Sequence, residues 1–300
     1  MKTVGIGRNR MRWCANVGLQ FLAALPLLAQ PVILGVLEDV PPRSSGDTER
    51  PMIRVLFRFD GDKWAAFPND CPDQDCLRKI VSQYPSPARW FVGFNGHELT
   101  SLTSHSPADF EWYANVGLQE LDQQSQAPKI GAKSESFGGF TGEAVYRPLV
   151  ANSRPFFTDP DGWKRASAPQ GIQNEFRAAF RHKSPKLCGD TEDGETPAAP
   201  IEYKDSQVQI TKAYKSLRGT WIAEIHLNDP KACEYDRWFV VAPDGSATYL
   251  DEGVWFVDAG DFNHDGKSEI LFSISRYDRG GYELFYDQFT KNVKFEFSFH

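Results

Sequence analysis

Apolar and polar residues alternate with period two in run after run along this chain, and that constrains its fold more than any other feature. Ile53, Val55, Phe57 and Phe59 share one face of such a run, and Trp90, Val92 and Phe94 share another. Val208 with Ile210 repeats the pattern, as do Trp221, Ala223, Ile225 and Leu227. Near the C-terminus Val293, Phe295, Phe297 and Phe299 alternate with Lys294, Glu296, Ser298 and His300. Successive side chains of a strand point to opposite faces, so each run predicts a half-buried strand. A hydrophobic content of 41% is enough for a core, and 22 Phe, 10 Tyr and 8 Trp favour strands over helices. Asp60-Gly61, Asn95-Gly96 and Asp244-Gly245 stand between apolar runs as hairpin turns, and Arg279-Gly280-Gly281 reads likewise. Only two short helices are predicted. Cys76 to Tyr84 carries Leu77, Ile80 and Val81 on one face, and Ile172 to His182 carries Phe176 and Phe180. Val40 to Pro51 and the acidic, Pro/Ala-containing Gly189 to Ile201 read as irregular connections.

From Gln207 onward the pattern divides into two runs of four strands. One comprises roughly 207–215, 219–227, 237–242 and 246–250, the other roughly 253–259, 268–275, 281–287 and 291–299. Consecutive four-stranded meanders are what propeller blades look like in sequence. The expected fold is therefore all-β, a small or irregular β-propeller-like array of four-stranded antiparallel meanders, with short helices in insertions. Val32 through Thr103 is expected to supply a further blade, whereas Pro and Gly interrupt Ala114 to Pro169. A length of 300 residues fits one larger β domain.

Lys2, Arg8, Arg10 and Arg12 precede a mostly apolar run from Ala15 to Ala29, the layout of a signal peptide. The run is shorter than the ~20 residues a spanning helix needs, which favours cleavage after Ala29 over a retained anchor. The expected organisation is a signal peptide at 1–29 and a single β-rich domain at 30–300, secreted or periplasmic, with no membrane association after cleavage. Export changes the meaning of the cysteines. Removing Cys14 leaves Cys71, Cys76, Cys188 and Cys233, an even number that suggests disulfides in an oxidising compartment. The short polar loop between Cys71 and Cys76 makes a local bridge the first choice, leaving Cys188 for Cys233. A net charge of −7 argues against a nucleic-acid partner.

Asp261-Phe-Asn263-His-Asp265-Gly266-Lys267-Ser-Glu269 reads as a calcium loop. Oxygen-bearing side chains fall at positions 1, 3, 5 and 9, glycine at position 6 permits the sharp bend, and the Lys267 carbonyl at position 7 supplies a further ligand. Hard cations such as Ca²⁺ take six to eight oxygens, which a turn spaced this way gathers onto one point. An EF-hand is excluded, because position 12 is Phe272 and the flanking runs alternate as strands. Gly260 through Ile270 instead resembles the loop of FG-GAP or VCBS repeats, in which a calcium turn joins two strands; Glu269 stands where those repeats usually carry Asp. The resemblance spans about one repeat near the C-terminal end. It implies Ca²⁺ bound by Asp261, Asn263, Asp265, Lys267 and Glu269 in the 261–269 loop.

Catalytic motifs are sparse. No Gly-x-Ser-x-Gly elbow, His-Glu-x-x-His or phosphate-binding glycine loop occurs in the sequence. His97-Glu98 follows a turn, and His226 shares a strand face with Glu224, so both read as structural. Asp159-Pro-Asp161-Gly-Trp163 sets two carboxylates beside an aromatic, as a glycosidase needs, although Asp-Pro and Asp-Gly are also ordinary turn formers. Tyr277 and Tyr282 lie near the calcium loop; Tyr282 shares a face with Leu284 and is expected to be buried, leaving Tyr277 for the surface. The function these features suggest is a secreted calcium-binding recognition module for an extracellular glycan or protein ligand. The alternatives are an extracellular hydrolase with loop carboxylates and a structural protein of an envelope or matrix.

Overall fold

The computed structural model describes residues 31–40, 50–69, 73–106, 116–128, 148–155, 158–183, 201–230, 232, 235–276 and 279–298. The expected signal peptide at 1–29, Cys71, Cys188, Cys233, Tyr277 and most of the 189–201 connection lie outside them. Cys76 is disulfide-bonded. The chain is mostly β and its sheets are antiparallel. Among the described residues no helix is long and apolar enough to cross a membrane.

The N-terminal strands close into a barrel. Strands β1 (Val32–Val40), β2 (Arg50–Phe59), β4 (Ala88–Phe94), β5 (His97–His105), β6 (Leu118–Leu121) and β7 (Leu149–Asn152) run in the order β1-β7-β4-β5-β6-β2, and β2 pairs back with β1. Strand β3 (Trp64–Ala66) pairs with the Phe57–Phe59 end of β2, on the edge that β6 takes at Met52–Arg54. This corrects the expectation of a propeller blade over Val32–Thr103: a closed sheet of six strands stands there instead. Closure leaves no unpaired edge among the six and so removes a site of strand-to-strand aggregation. The closing strands β6 and β7 come from the stretch where alternation is broken, and at four residues each they are too short to show a period. Bulges interrupt the pairing between Leu34 and Gly35 on β1 and between Val92 and Gly93 on β4, and such irregularities bend strands. A Cβ on Gly35 would lie 2.6 Å from the Arg54 carbonyl oxygen, so any side chain there would force β1 and β2 apart. Helix α1 (Gln74–Val81) is started by Asp73, whose carboxylate accepts the Cys76 amide at 2.8 Å, and it turns Ile80 into the barrel core.

The second half follows the two predicted meanders strand for strand. Strand β8 (Lys164–Arg165), helix α2 (Gln170–His182) and strands β9 (Val208–Lys215), β10 (Trp221–Leu227), β11 (Arg237–Val241) and β12 (Ala247–Glu252) come first; the five strands form one sheet in the order β12-β11-β10-β9-β8. Strands β13 (Val254–Gly260), β14 (Glu269–Ser275), β15 (Arg279–Tyr286) and β16 (Lys291–Ser298) form another. Arg279-Gly280-Gly281 is not a turn: Gly280 pairs with Phe297 and Gly281 with Glu296 inside that sheet.

These layers stack, and the stacking overrides the half-buried expectation. One face of the five-stranded sheet packs Trp221, Ala223, Ile225 and Phe239 against Phe176 and Phe180 of α2. Its other face packs Ile222, Trp238 and Val240 against Phe256, Ile270, Phe272 and Phe285 of the four-stranded sheet. The far side of the four-stranded sheet delivers Val257, Leu271, Leu284 and Phe295 to the barrel core. The inner strands are therefore covered on both faces, and every residue of β11 is buried.

Most polar groups caught between layers are paired, as burial requires, with Glu283 Oε2 among the exceptions. Arg54, 4% exposed, donates to Glu38 at 2.7 Å and to the Val116 carbonyl at 2.7 Å. The second Glu38 oxygen accepts Tyr282 Oη at 2.5 Å, tying β1 and β2 of the barrel to β15. Tyr282 is buried, as its position beside Leu284 predicts. Between the two meanders, Asp251 accepts Arg276 at 2.8 Å and Lys294 at 2.7 Å, while Glu283 accepts Asn292 at 2.6 Å. Burial, joined by the charge of Asp251, pushes the Glu283 carboxyl up to about 8 against the opposing effects of Asn292 and Lys294. Burial alone would raise Asp251 too, but Lys294 and the Glu252 amide hold it below the usual carboxylate range.

A raised carboxyl stabilises the fold fully below its unfolded pKa, and that contribution is lost as pH climbs to the folded value. Glu283 should therefore make the wild type lose stability relative to Glu283→Gln between about pH 4.5 and about pH 8. The slope of that difference should be at most about 1.4 kcal/mol per pH unit. Urea denaturation of both proteins across the window measures it; parallel curves would contradict the assignment.

Candidate functional site

The 261–269 segment joins β13 to β14 and is pinned from the barrel side. Phe262 is fully buried in the barrel core, and its carbonyl accepts Asn152 Nδ2 at 2.7 Å from the end of β7. The Asp261 amide donates to the Thr158 carbonyl at 2.5 Å. His264 and Gly266 take the left-handed conformation with φ of 65° and 82°, which lets the chain reverse inside so short a span.

That path turns side-chain oxygens onto the loop's own amides. Asp261 Oδ1 and Asn263 Oδ1 both accept the Asp265 amide at 2.9 Å, so these two oxygens sit side by side. Asp261 Oδ2 accepts the Gly266 amide at 3.0 Å, and Asp265 Oδ1 accepts the Lys267 amide at 2.9 Å. Glu269 Oε2 accepts the Phe262 amide at 2.7 Å. Asp261, Asn263 and Glu269 are buried, whereas Asp265 and Lys267 are exposed. Burial raises the Asp261 carboxyl above its usual range, against the opposing hydrogen bonds from Gly266 and Asp265. It pushes Glu269 up to about 8, with the charges of Asp265 and Asp261 adding to the effect. Among the described residues no three Asp, Glu, His or Cys side chains are grouped closely enough to hold a metal by themselves. An ion at this loop therefore needs the neutral oxygens of Asn263 and the Lys267 carbonyl as well as carboxylates, a mixed set that suits calcium's flexible coordination.

The Asp159–Trp163 motif lies directly against this loop, a juxtaposition the sequence does not announce. Asp159 Oδ1 accepts the Gly162 amide at 2.9 Å and Ser268 Oγ at 2.6 Å, and Oδ2 accepts the Trp163 amide at 2.6 Å. Ser268 Oγ in turn accepts the Asp161 amide at 3.0 Å. Asp161 pairs with Arg218 at 2.6 Å, and its carbonyl accepts the Leu217 amide at 2.7 Å. Both carboxylates are thus engaged in bonds that hold three loops together. His97 opens β5 directly after Gly96, where an added Cβ would lie 3.5 Å from the Asp159 amide nitrogen, and His226 Nδ1 lies 2.8 Å from Asp236 Oδ1.

A strained turn completes the arrangement. Asp287, Gln288 and Phe289, between β15 and β16, all have positive φ, at 52°, 58° and 67°. For non-glycine residues this costs roughly 1–3 kcal/mol each and persists only where neighbours enforce it. Here Asp287 is held by Lys267 and Lys291, both at 2.9 Å, and its carbonyl accepts Thr290 Oγ1 at 2.6 Å. Phe289 meets Trp163 edge to face at 5.8 Å. The gap between the predicted strands 281–287 and 291–299 places a turn here, but its left-handed run is not signalled, because it contains no glycine or asparagine.

Between the turn, the Asp161 loop and the edges of β11 and β12 runs a cleft of about 360 Å³. Trp163, Phe289, Arg218, Asp161, Thr248 and Ser268 line it, so the candidate calcium loop contributes one wall through Ser268.

Replacing Asp159 with alanine removes three acceptor bonds and leaves Ser268 without its acceptor. Asp159→Ala is expected to destabilise the protein by about 2–4 kcal/mol and to lose hydrogen-exchange protection at the Trp163 amide, whereas the Gly162 amide keeps its bond to the Asp159 carbonyl. Wild-type protection at the Trp163 amide would show that the loops are held by something else.

Comparison with known proteins finds no family model, no curated protein and no solved structure that matches this chain.

Proposed function

We propose that the chain is a secreted calcium-binding recognition module for an extracellular carbohydrate or protein ligand. The ion is held in the 261–269 loop by side-chain oxygens of Asp261, Asn263, Asp265 and Glu269 and by the Lys267 carbonyl. The observation that carries this reading is that Asp261 and Asn263 turn side-chain oxygens onto the same Asp265 amide, in a segment that also walls the cleft through Ser268. The two meanders pack face to face, and the loop between β13 and β14 carries the residues on which the resemblance to FG-GAP/VCBS repeats rests. Engagement of Asp159 and Asp161 in loop-to-loop bonds favours binding over the hydrolase alternative.

Bound calcium offsets the mutual repulsion of three carboxylates in one loop. Extracellular calcium modules commonly have Kd values of about 10⁻⁴ to 10⁻³ M. At ~1 mM calcium and the tighter end of that range, linkage contributes about 1.4 kcal/mol. That corresponds to a rise in melting temperature of a few degrees, on the order of 3–6 °C. Asp265→Ala, which alters an exposed side chain, should abolish the rise while leaving a folded protein in calcium-free buffer. Calorimetry detecting no millimolar calcium binding by the wild type would return the loop to an acidic turn.

A further inference from the structure

We propose that the cleft between the Asp287–Thr290 turn and the β11–β12 edge is the ligand site, and that it takes a neutral saccharide. The proposal rests on the recognition reading and gives it a place and a ligand class. Three observations carry it. The first is the balance of charge: Asp161 and Arg218 are the only charged residues among the described lining, and they pair at 2.6 Å. A phosphate or polyanion would meet a guanidinium whose charge Asp161 already balances, and an ammonium ligand a carboxylate already balanced by Arg218, so neither gains a net charge partner. A neutral ligand can use the pair intact, with the half-exposed guanidinium as donor and the carboxylate as acceptor.

The second is the chemistry of the rest of the lining. Thr248 presents a hydroxyl and Gln288 an amide around the aromatic rings of Trp163 and Phe289, while the Ser246, Ser268 and Thr290 hydroxyls donate to Asp244, Asp159 and the Asp287 carbonyl and offer acceptor lone pairs. Groups that both donate and accept match sugar hydroxyls, and aromatic surface matches the apolar C–H face of a pyranose. A volume of about 360 Å³ lies at the small end of ligand sites and suits one or two sugar units.

The third is the strained turn itself. Three consecutive left-handed residues, clamped through Asp287 by Lys267 and Lys291, keep Phe289 against Trp163 at the cleft mouth. Strain of this kind is retained where a local geometry is needed. Because Lys267 belongs to the 261–269 loop, the clamp links that loop to the cleft.

The test titrates the full chain, in calcium-containing buffer, with chitotetraose, cellotetraose, maltotetraose and lactose, and with sialyllactose as the acidic counterpart of lactose. Saturable binding of at least one neutral probe is expected, with sialyllactose no tighter than lactose. Trp163→Ala and Thr248→Trp should each weaken that binding by about ten-fold or more, the loss of roughly one well-placed contact. Thr248 is exposed on β12, so Thr248→Trp fills the cleft without touching the core and should melt as the wild type does. Failure of every neutral probe to bind, or a preference for sialyllactose, overturns the inference. Neutral binding that both variants leave intact also overturns it, while the recognition reading stands with its site elsewhere. Shortened saccharides in the mixture would instead defeat the non-catalytic reading and leave the cleft assignment in place.

Discussion

The four-stranded sheet β13–β16 has two buried faces, and the rest of the structure depends on that. Phe272 and Phe285 face the five-stranded sheet, while Leu271, Leu284 and Phe295 face the barrel. Apolar surface on both sides leaves no solvent-facing option for this sheet, so barrel and meanders must assemble around it. Full burial of one large apolar side chain is worth about 1.5–3 kcal/mol. Five such residues on one small sheet outweigh any single polar contact in the molecule. The polar ties at its margins, Glu38 with Arg54 and Tyr282 on one side and Asp251 with Arg276 and Lys294 on the other, then act mainly to fix how the layers are aligned.

The candidate site is a consequence of that assembly. Phe262 enters the barrel core and Asn152 fastens its carbonyl, so the loop leaving β13 is anchored at its second residue. Asp159 and Ser268 bind a segment from outside the meander to the same loop, and Arg218 ties that segment to the five-stranded sheet. Three chain segments far apart in sequence thus meet through a few hydrogen bonds, and the cleft is the space they enclose. The 261–269 loop is bonded to the Asp159 segment through Ser268 and to the Asp287 turn through Lys267, so its geometry and that of the cleft are linked.

Much of this was legible in the chain. The eight strands of the two meanders fall close to where period-two alternation puts them, and Asn95-Gly96 and Asp244-Gly245 form the turns their chemistry calls for. Phe176 and Phe180 sit on the buried side of α2 as their spacing indicates. The barrel was not legible: it is completed by two four-residue strands, and four residues cannot display a period. Nor was double-sided burial, because alternation marks which residues share a face and is silent on what covers the opposite one. Glu224 shows the difference, reading as an outward polar residue yet lying 2% exposed beside Thr211 and Lys212.

The same division holds at the candidate site. The order of oxygen donors from Asp261 to Glu269 and the bend at Gly266 are properties of nine consecutive residues, so the sequence by itself determined them, together with the β class and the meander boundaries. Only the tertiary structure decided that Asp159 would bind Ser268, that Arg218 would neutralise Asp161, and that Asp287 to Phe289 would be held in a left-handed turn. Each of those depends on partners brought together by long-range packing, and no local pattern records which surfaces will meet when separate apolar faces are buried against one another.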